Sequence, residues 1–226
     1  MRVLVSGASR GLGAALALYL AERDYDVVAF ARSKMEPSHE RITYVSMDVH
    51  ELEPIFSYLA DCDGIVNNVG IVQEGLLATQ SVEHIRQMID VNLTSVICLT
   101  KFWVRERLRV RKTGSCVTIS SIVSNTGFSG LSVYSATKGA TNSLTKTLAR
   151  EMGSLKFRFN SVLPGYFEST LSSGLSEEHK KKIIRKTPLG RLATVDDICP
   201  MVEFLLSDKS SFVTGQLIKI DGGLTV

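Results

Sequence analysis

The chain has 226 residues, 44% of them hydrophobic and 22% charged, the balance of an ordinary soluble globular protein that can bury a core without disulfide or metal staples. A formal charge of +3 argues against a dedicated nucleic-acid binder. No run reaches the ~18 consecutive apolar residues of a membrane span, and the strand-like start Met1-Arg2-Val3-Leu4-Val5 is too short for a signal peptide, so a cytoplasmic protein with neither membrane nor nucleic acid as partner is expected.

In chain order, short apolar runs at 3–6, 27–31, 43–46, 64–67, 116–120, 158–162 and 217–220 alternate with stretches of helical period at 12–22, 82–111, 133–153 and 195–206. The runs are mostly continuous, as expected for strands covered on both faces. Their alternation with helices predicts an α/β protein: one doubly wound domain over residues 1–226, a parallel sheet with helices on both faces. No repeat or low-complexity linker divides it.

The first strand runs into Ser6-Gly7-Ala8-Ser9-Arg10-Gly11-Leu12-Gly13 as the first helix begins. The three glycines permit a tight turn, close backbone approach to a pyrophosphate, and close helix–strand packing. The helix N-terminus then favours the phosphate charge. A glycine pattern alone is weak, and its place between strand and helix is what supports it. The second strand ends in Ala31-Arg32-Ser33, without the acid that would hold a ribose 2′-hydroxyl. Arg32 and Arg10 therefore favour a 2′-phosphate, and NADP(H) over NAD(H). The alternative is a pair of solvated arginines. Residues 33–41, which include Pro37, are too few for a full crossover helix.

The fourth strand ends in Asn67-Asn68-Val69-Gly70, facing the crevice where doubly wound sheets bind ligands. Asn92 follows among Ile89, Val91 and Leu93, and a buried asparagine needs partners; it anchors either a water chain or a backbone kink. Ser120-Ser121 ends the fifth strand, where a hydroxyl can bond a substrate oxygen. Tyr134 and Lys138 then stand at i and i+4 on one helix face. A free tyrosine, with a pKa near ~10, is a poor acid or base at neutral pH, and a nearby cation would lower that value. The spacing by itself is at the level of chance; its weight comes from the company of Ser121, Asn68 and Asn92.

Residues 166–186 open with Ser169-Thr170-Leu171-Ser172-Ser173-Gly174 and continue into Glu177-Glu178-His179-Lys180-Lys181-Lys182. That pattern suits either a lid that excludes water or a plain surface loop and helix. Phe128, Tyr166, Phe167 and Leu171 are candidates for an apolar pocket or for core. Cys62, Cys98, Cys116 and Cys199 form no C-x-x-C pair, and His39, His50, His84 and His179 are dispersed, so free thiols and no metal site are expected.

Ser6 to Gly13, Asp48-Val49, Asn67 to Gly70, Asn92, Ser121, Tyr134, Lys138 and Pro164-Gly165, in this order and spacing, resemble the short-chain dehydrogenase/reductases. So do Thr187-Pro188-Leu189-Gly190-Arg191, Thr214-Gly215-Gln216 and Asp221-Gly222-Gly223. The resemblance spans essentially the whole chain and is strongest to the 3-oxoacyl-[acyl-carrier-protein] reductase type. It implies a seven-stranded Rossmann-like sheet and a homotetramer built through the two long helices and the C-terminal region. It also implies roles for individual residues. Tyr134 would donate the proton, Ser121 position the carbonyl, and Lys138 bind the nicotinamide ribose and lower the tyrosine pKa. Asn92 would hold a relay water, Asp48 and Val49 flank the adenine, Asn68 meet the adenosine ribose, and Pro164 and Gly165 the nicotinamide. Gly7, Ser9, Arg10, Gly11, Leu12, Gly13, Arg32 and Gly70 complete the cofactor surface.

Two departures stand out: Val69 replaces the usual alanine, and segment 33–41 is short. An acidic carrier protein would meet surface cations, for which Arg105, Arg109 and Lys112, at i, i+4 and i+7, and Lys156 are candidates, although Leu155 stands where the family often has arginine. The same cations also suit a solvated helix end. Three functions follow: reduction of a ketone or 3-oxoacyl thioester; oxidation of a secondary alcohol such as a sugar or steroid; or non-catalytic dinucleotide sensing.

Overall fold

The computed structural model describes residues 1–33, 38–167 and 177–226. Its strands are β1 (Arg2–Ser6), β2 (Asp26–Ala31), β3 (Ile42–Ser46), β4 (Gly64–Asn67), β5 (Ser115–Ile119), β6 (Arg158–Pro164) and β7 (Leu217–Ile220). They pair in parallel in the order β3-β2-β1-β4-β5-β6-β7. Strand order reverses between β1 and β4, which opens a crevice above their C-terminal ends.

The helices are α1 (Gly11–Ala21), α2 (Phe56–Leu59), α3 (Val82–Ile89), α4 (Ser95–Arg109), α5 (Val123–Thr126), α6 (Ser132–Met152), α7 (Glu177–Lys186) and α8 (Val195–Leu206). The period-2 geometry of a strand explains why the apolar runs are continuous. Val3, Val5, Val27 and Ala29 point to one face and pack with α1 and α8. Leu4, Val28 and Phe30 point to the other, against Leu99 and Trp103 of α4 and partly buried Leu148 and Met152 of α6. Trp103 anchors that second face: its indole N–H donates to Cys62 O (2.8 Å), and Phe157 meets its ring edge-on at 5.6 Å.

Strand ends fall within two residues of those read from the sequence, and α2 and α5 are too short for periodicity to reveal. The single helix expected over 82–111 is divided into α3, a π-helical turn at Asp90–Thr94, and α4. The break falls on Asn92, so the kink reading of that residue is the observed one. α4 also stops at Arg109, so Lys112 lies beyond it and shares no helix face with Arg105 and Arg109. Those two arginines close on Glu106 instead, at 3.2 and 2.8 Å. The cleft lies at the other end of α4, about 22 Å along its axis.

Candidate active site

Ser6 locks the strand ends together. Its hydroxyl donates to Val66 O (3.2 Å) and accepts from the backbone N–H groups of Asn68 (2.9 Å) and Val69 (3.1 Å). Gly7 then turns with φ +67°, where a Cβ would come 2.9 Å from Val69 Cα. A Cβ on Gly13 would collide with Gly7 O and Asn68 Nδ2. Glycine is required at both positions, and the backbone is left bare where α1 begins. Arg10 caps α1 with no side-chain bond and no acid follows in the first turn, so the helix N–H groups meet no competing anion. Asn68 Nδ2 donates to Ser6 O (3.0 Å) and Gly7 O (3.1 Å). Both amide hydrogens brace the turn, leaving Oδ1 or the backbone for a ligand.

Above the reversal lies a cleft of about 760 Å³, well within the range of small-ligand sites. Gly7, Ser9, Arg10, Gly11, Leu12 and Gly13 line it from the turn, Arg32 from the end of β2, and Asp48 and Val49 from beyond β3. Asn68, Gly70, Ser121, Tyr134, Lys138, Pro164 and Gly165 line the rest. The structure therefore brings together the residues singled out in the sequence, Asn92 excepted. Arg10 and Arg32 are exposed and, among the described residues, form no ion pair.

At the other end Tyr134 and Lys138 rise from α6. Burial pushes the Tyr134 phenol up to about 12, opposed only by its hydrogen bond with Ser121. The Lys138 ammonium lies 5.8 Å from the ring centroid, and desolvation pulls its own value down to about 8. Lys138 Nζ donates to Ile119 O (2.7 Å), its one hydrogen bond among the described residues. Two of its three donors remain for a ligand. Gly70 leaves them room, since a Cβ there would stand 3.5 Å from Nζ and 3.4 Å from Asn92 Oδ1.

Asn92 is fully buried behind this wall. Its Oδ1 accepts from Ile71 N–H (2.8 Å), and its Nδ2 donates to Ile71 O (2.8 Å) and Thr137 Oγ1 (3.3 Å). With those groups committed to protein, the side chain positions the Ile71 segment and the π-turn. Thr137, whose hydroxyl donates to Tyr134 O (2.8 Å), escaped the sequence reading because its tie to Asn92 spans 45 positions.

Glu74, Gln87 and Leu131 also line the cleft and carry no sequence motif. Tyr166 and Phe167 line it as candidates for an apolar pocket, and Phe128 meets Tyr166 edge-on at 6.1 Å without lining it. Leu171, Pro37 and the opening of the possible lid at 169–174 lie outside the described residues. Cys62, Cys116 and Cys199 are buried free thiols held up to about 12 by desolvation. Among the described residues no group of His, Cys, Asp and Glu could hold a metal ion, and no helix is long and apolar enough to cross a membrane. A bare glycine turn, two exposed guanidiniums and an ammonium with spare donors fit a nicotinamide dinucleotide.

Comparison with known proteins agrees with this geometry. The family described as "Enoyl-(Acyl carrier protein) reductase" matches residues 7–225. The chain is 34% identical to the 3-oxoacyl-[acyl-carrier-protein] reductase FabG of Staphylococcus aureus, covering 98% of this chain and 96% of that protein. It is 32% identical to the FabG of Thermotoga maritima, covering 99% and 97%. Among solved structures, a 3-oxoacyl-[acyl-carrier protein] reductase from Brucella melitensis superposes with a TM-score of 0.92 at 27% identity, covering 100% of this chain and 91% of that one. A gluconate 5-dehydrogenase from Burkholderia cenocepacia, in complex with NADP and tartrate, gives 0.90 at 28%, covering 99% and 94%. The chain belongs to the short-chain dehydrogenase/reductase family of oxidoreductases.

Proposed function

We propose that the protein, acting as one domain over residues 1–226, reduces a ketone to a secondary alcohol with NADPH, the substrate class being a 3-oxoacyl thioester carried on an acyl carrier protein or CoA. The observation that carries this reading is Tyr134. Its phenol faces the cleft, hydrogen-bonded with Ser121 and with Lys138 Nζ 5.8 Å from its ring centroid, the placement a proton donor to a bound carbonyl needs. When bound, NADPH supplies the hydride. Ser121 donates a hydrogen bond to the substrate carbonyl oxygen and orients it, and Tyr134 gives that oxygen its proton. Lys138 stabilises the phenolate left behind and offers its two free donors to the nicotinamide ribose. Arg10 and Arg32 receive the 2′-phosphate. The turn from Gly7 to Gly13 cradles the pyrophosphate, Asp48 and Val49 flank the adenine, and Pro164 and Gly165 the nicotinamide.

The reductases among its relatives support the thioester. Similarity to a gluconate 5-dehydrogenase favours a second reading, oxidation of a sugar-like secondary alcohol at the same residues. The protein is further inferred to be a cytoplasmic homotetramer assembled through α4, α6 and the C-terminal region, where Ile97, Phe212 and Val226 are exposed. A monomer mass by light scattering would rule the tetramer out. The direct test of the activity follows reduced-nicotinamide absorbance with acetoacetyl-CoA. NADPH should be consumed in preference to NADH, and Tyr134→Phe should lower kcat at least about 100-fold; turnover indifferent to that substitution would refute the assignment.

A further inference from the structure

Glu74 lies in the loop after β4, and its backbone is clamped on both sides. Gln80 Nε2 donates to Gln73 O (3.0 Å) and Gly75 O (3.2 Å). Gly75 N–H donates to Gly130 O (3.0 Å), which ties the loop to the one following β5. The clamp leaves Glu74 lining the cleft, where among the described residues its carboxylate has no ion pair or hydrogen bond. Burial raises the Tyr166 phenol above its ordinary value, and the Glu74 charge adds to that shift. Tyr166 also lines the cleft and packs in the same apolar cluster as Tyr134. The free carboxylate therefore stands at the end of the cleft where the reacting ketone meets its proton donor.

Among the described residues no cation balances it there. The cations lining the cleft are Arg10, Arg32 and Lys138. Arg10 and Arg32 follow β1 and β2, two and three strand positions from β5, or about 10–14 Å across the sheet. Lys138 is buried beneath Tyr134 and hydrogen-bonded to Ile119 O.

We propose that Glu74 makes the substrate end of this cleft select ketones without a free carboxylate, favouring a neutral ester or thioester over the corresponding keto acid. The inference rests on the ketone-reductase reading and narrows it. A 3-oxoacyl thioester passes, whereas a keto acid or sugar acid brings a second negative charge close to Glu74. At about 7 Å, in a partly screened cleft, that repulsion is worth a factor of about five in affinity, and it fades as salt shortens the Debye length.

The test uses acetoacetate and its methyl ester, which present the same ketone with and without the charge. Binding of each to the protein saturated with NADP⁺, in which neither ketone can be reduced, is measured by ligand-observed NMR at low and high salt. The charge on the oxidised nicotinamide is common to both proteins, so Glu74 is read from the difference between them: in Glu74→Gln the acid-to-ester ratio of Kd should fall about fivefold, and high salt should shrink that difference. A ratio that is the same in both proteins, or binding of neither ketone, overturns the proposal. Turnover of the ester with NADPH is recorded separately. Its absence would remove the reductase reading, while the ratio of Kd still decides the charge selection.

Discussion

The two cationic regions of the cleft carry the same sign of charge in opposite surroundings. Arg10 and Arg32 are exposed and form no ion pair among the described residues, whereas Lys138 is 4% exposed and bonded once, to Ile119 O. Water around the guanidiniums lets them keep their charge, and it also screens them, so they add modest, salt-sensitive affinity for a phosphate. Withdrawal from water costs Lys138 part of its proton affinity and brings it to about 8, while strengthening its action on anything in the same dry space. In the proposed mechanism, selection of the cofactor belongs to the exposed pair and control of the proton to Lys138.

Lys138→Met tests the buried side with the largest expected effect. Loss of the cation beside the Tyr134 phenolate should lower kcat for ketone reduction by about 10²- to 10³-fold, while the apolar replacement leaves the melting temperature no lower. The pH dependence separates the two consequences. The folded protein releases the Lys138 proton near 8, the unfolded chain near 10.5. Between these values the unfolded state binds more protons, so this group raises stability as pH rises. The thiols of Cys62, Cys116 and Cys199, raised from 9 to about 12, act in the opposite sense above 9. From pH 8 to 9, wild-type activity should therefore fall, while the stability of the wild type relative to Lys138→Met should rise by about 1 kcal/mol, since the thiols act alike in both proteins. A stability difference between the two proteins that stays constant across that window would refute the separation.

The same contrast explains what the sequence disclosed. The phosphate turn is eight consecutive residues between a strand and a helix, and the exposed arginines sit at or next to strand ends, so local pattern suffices to find them. The buried side is assembled from Gly70, Asn92, Ser121, Tyr134 and Lys138, of which only Tyr134 and Lys138 share a local period; family resemblance supplied their roles. Neither pattern nor resemblance disclosed how two of the amides are used inside the protein: Asn68 braces the turn, and Asn92 holds Ile71. Hydrogen-bond partners 21 to 62 positions away decide which amide groups remain free. Glu74 lay outside reach for the opposite reason, since nothing in its neighbourhood marks a solvated carboxylate as part of a cleft.

Asn92→Ala sharpens the comparison at intermediate size. The substitution leaves the N–H and C=O of Ile71 without their partners, which costs about 1–3 kcal/mol. Calorimetry should record a melting temperature lower by about 3–10 °C for a chain of this length. Because the side chain is packed behind the cleft wall, the loss should appear in stability before it appears in the pH profile of the rate. An unchanged melting temperature with a displaced pH profile would instead return Asn92 to a proton-relay role.

The smallest effect is expected on the exposed side. Arg10→Ala with Arg32→Ala should weaken NADPH binding about tenfold at low ionic strength and NADH binding far less, since only NADPH carries the 2′-phosphate that a guanidinium can grip. Raising salt should shrink the wild-type preference toward that of the double variant, because exposed charges are screened within about 8–10 Å at physiological strength. The catalytic dependence on Lys138 should resist the same salt, because water and ions do not reach it. Equal losses for the two cofactors, or a preference indifferent to salt, would mean that the arginines hold the pyrophosphate or nothing, and selection of the 2′-phosphate would have to come from elsewhere in the cleft.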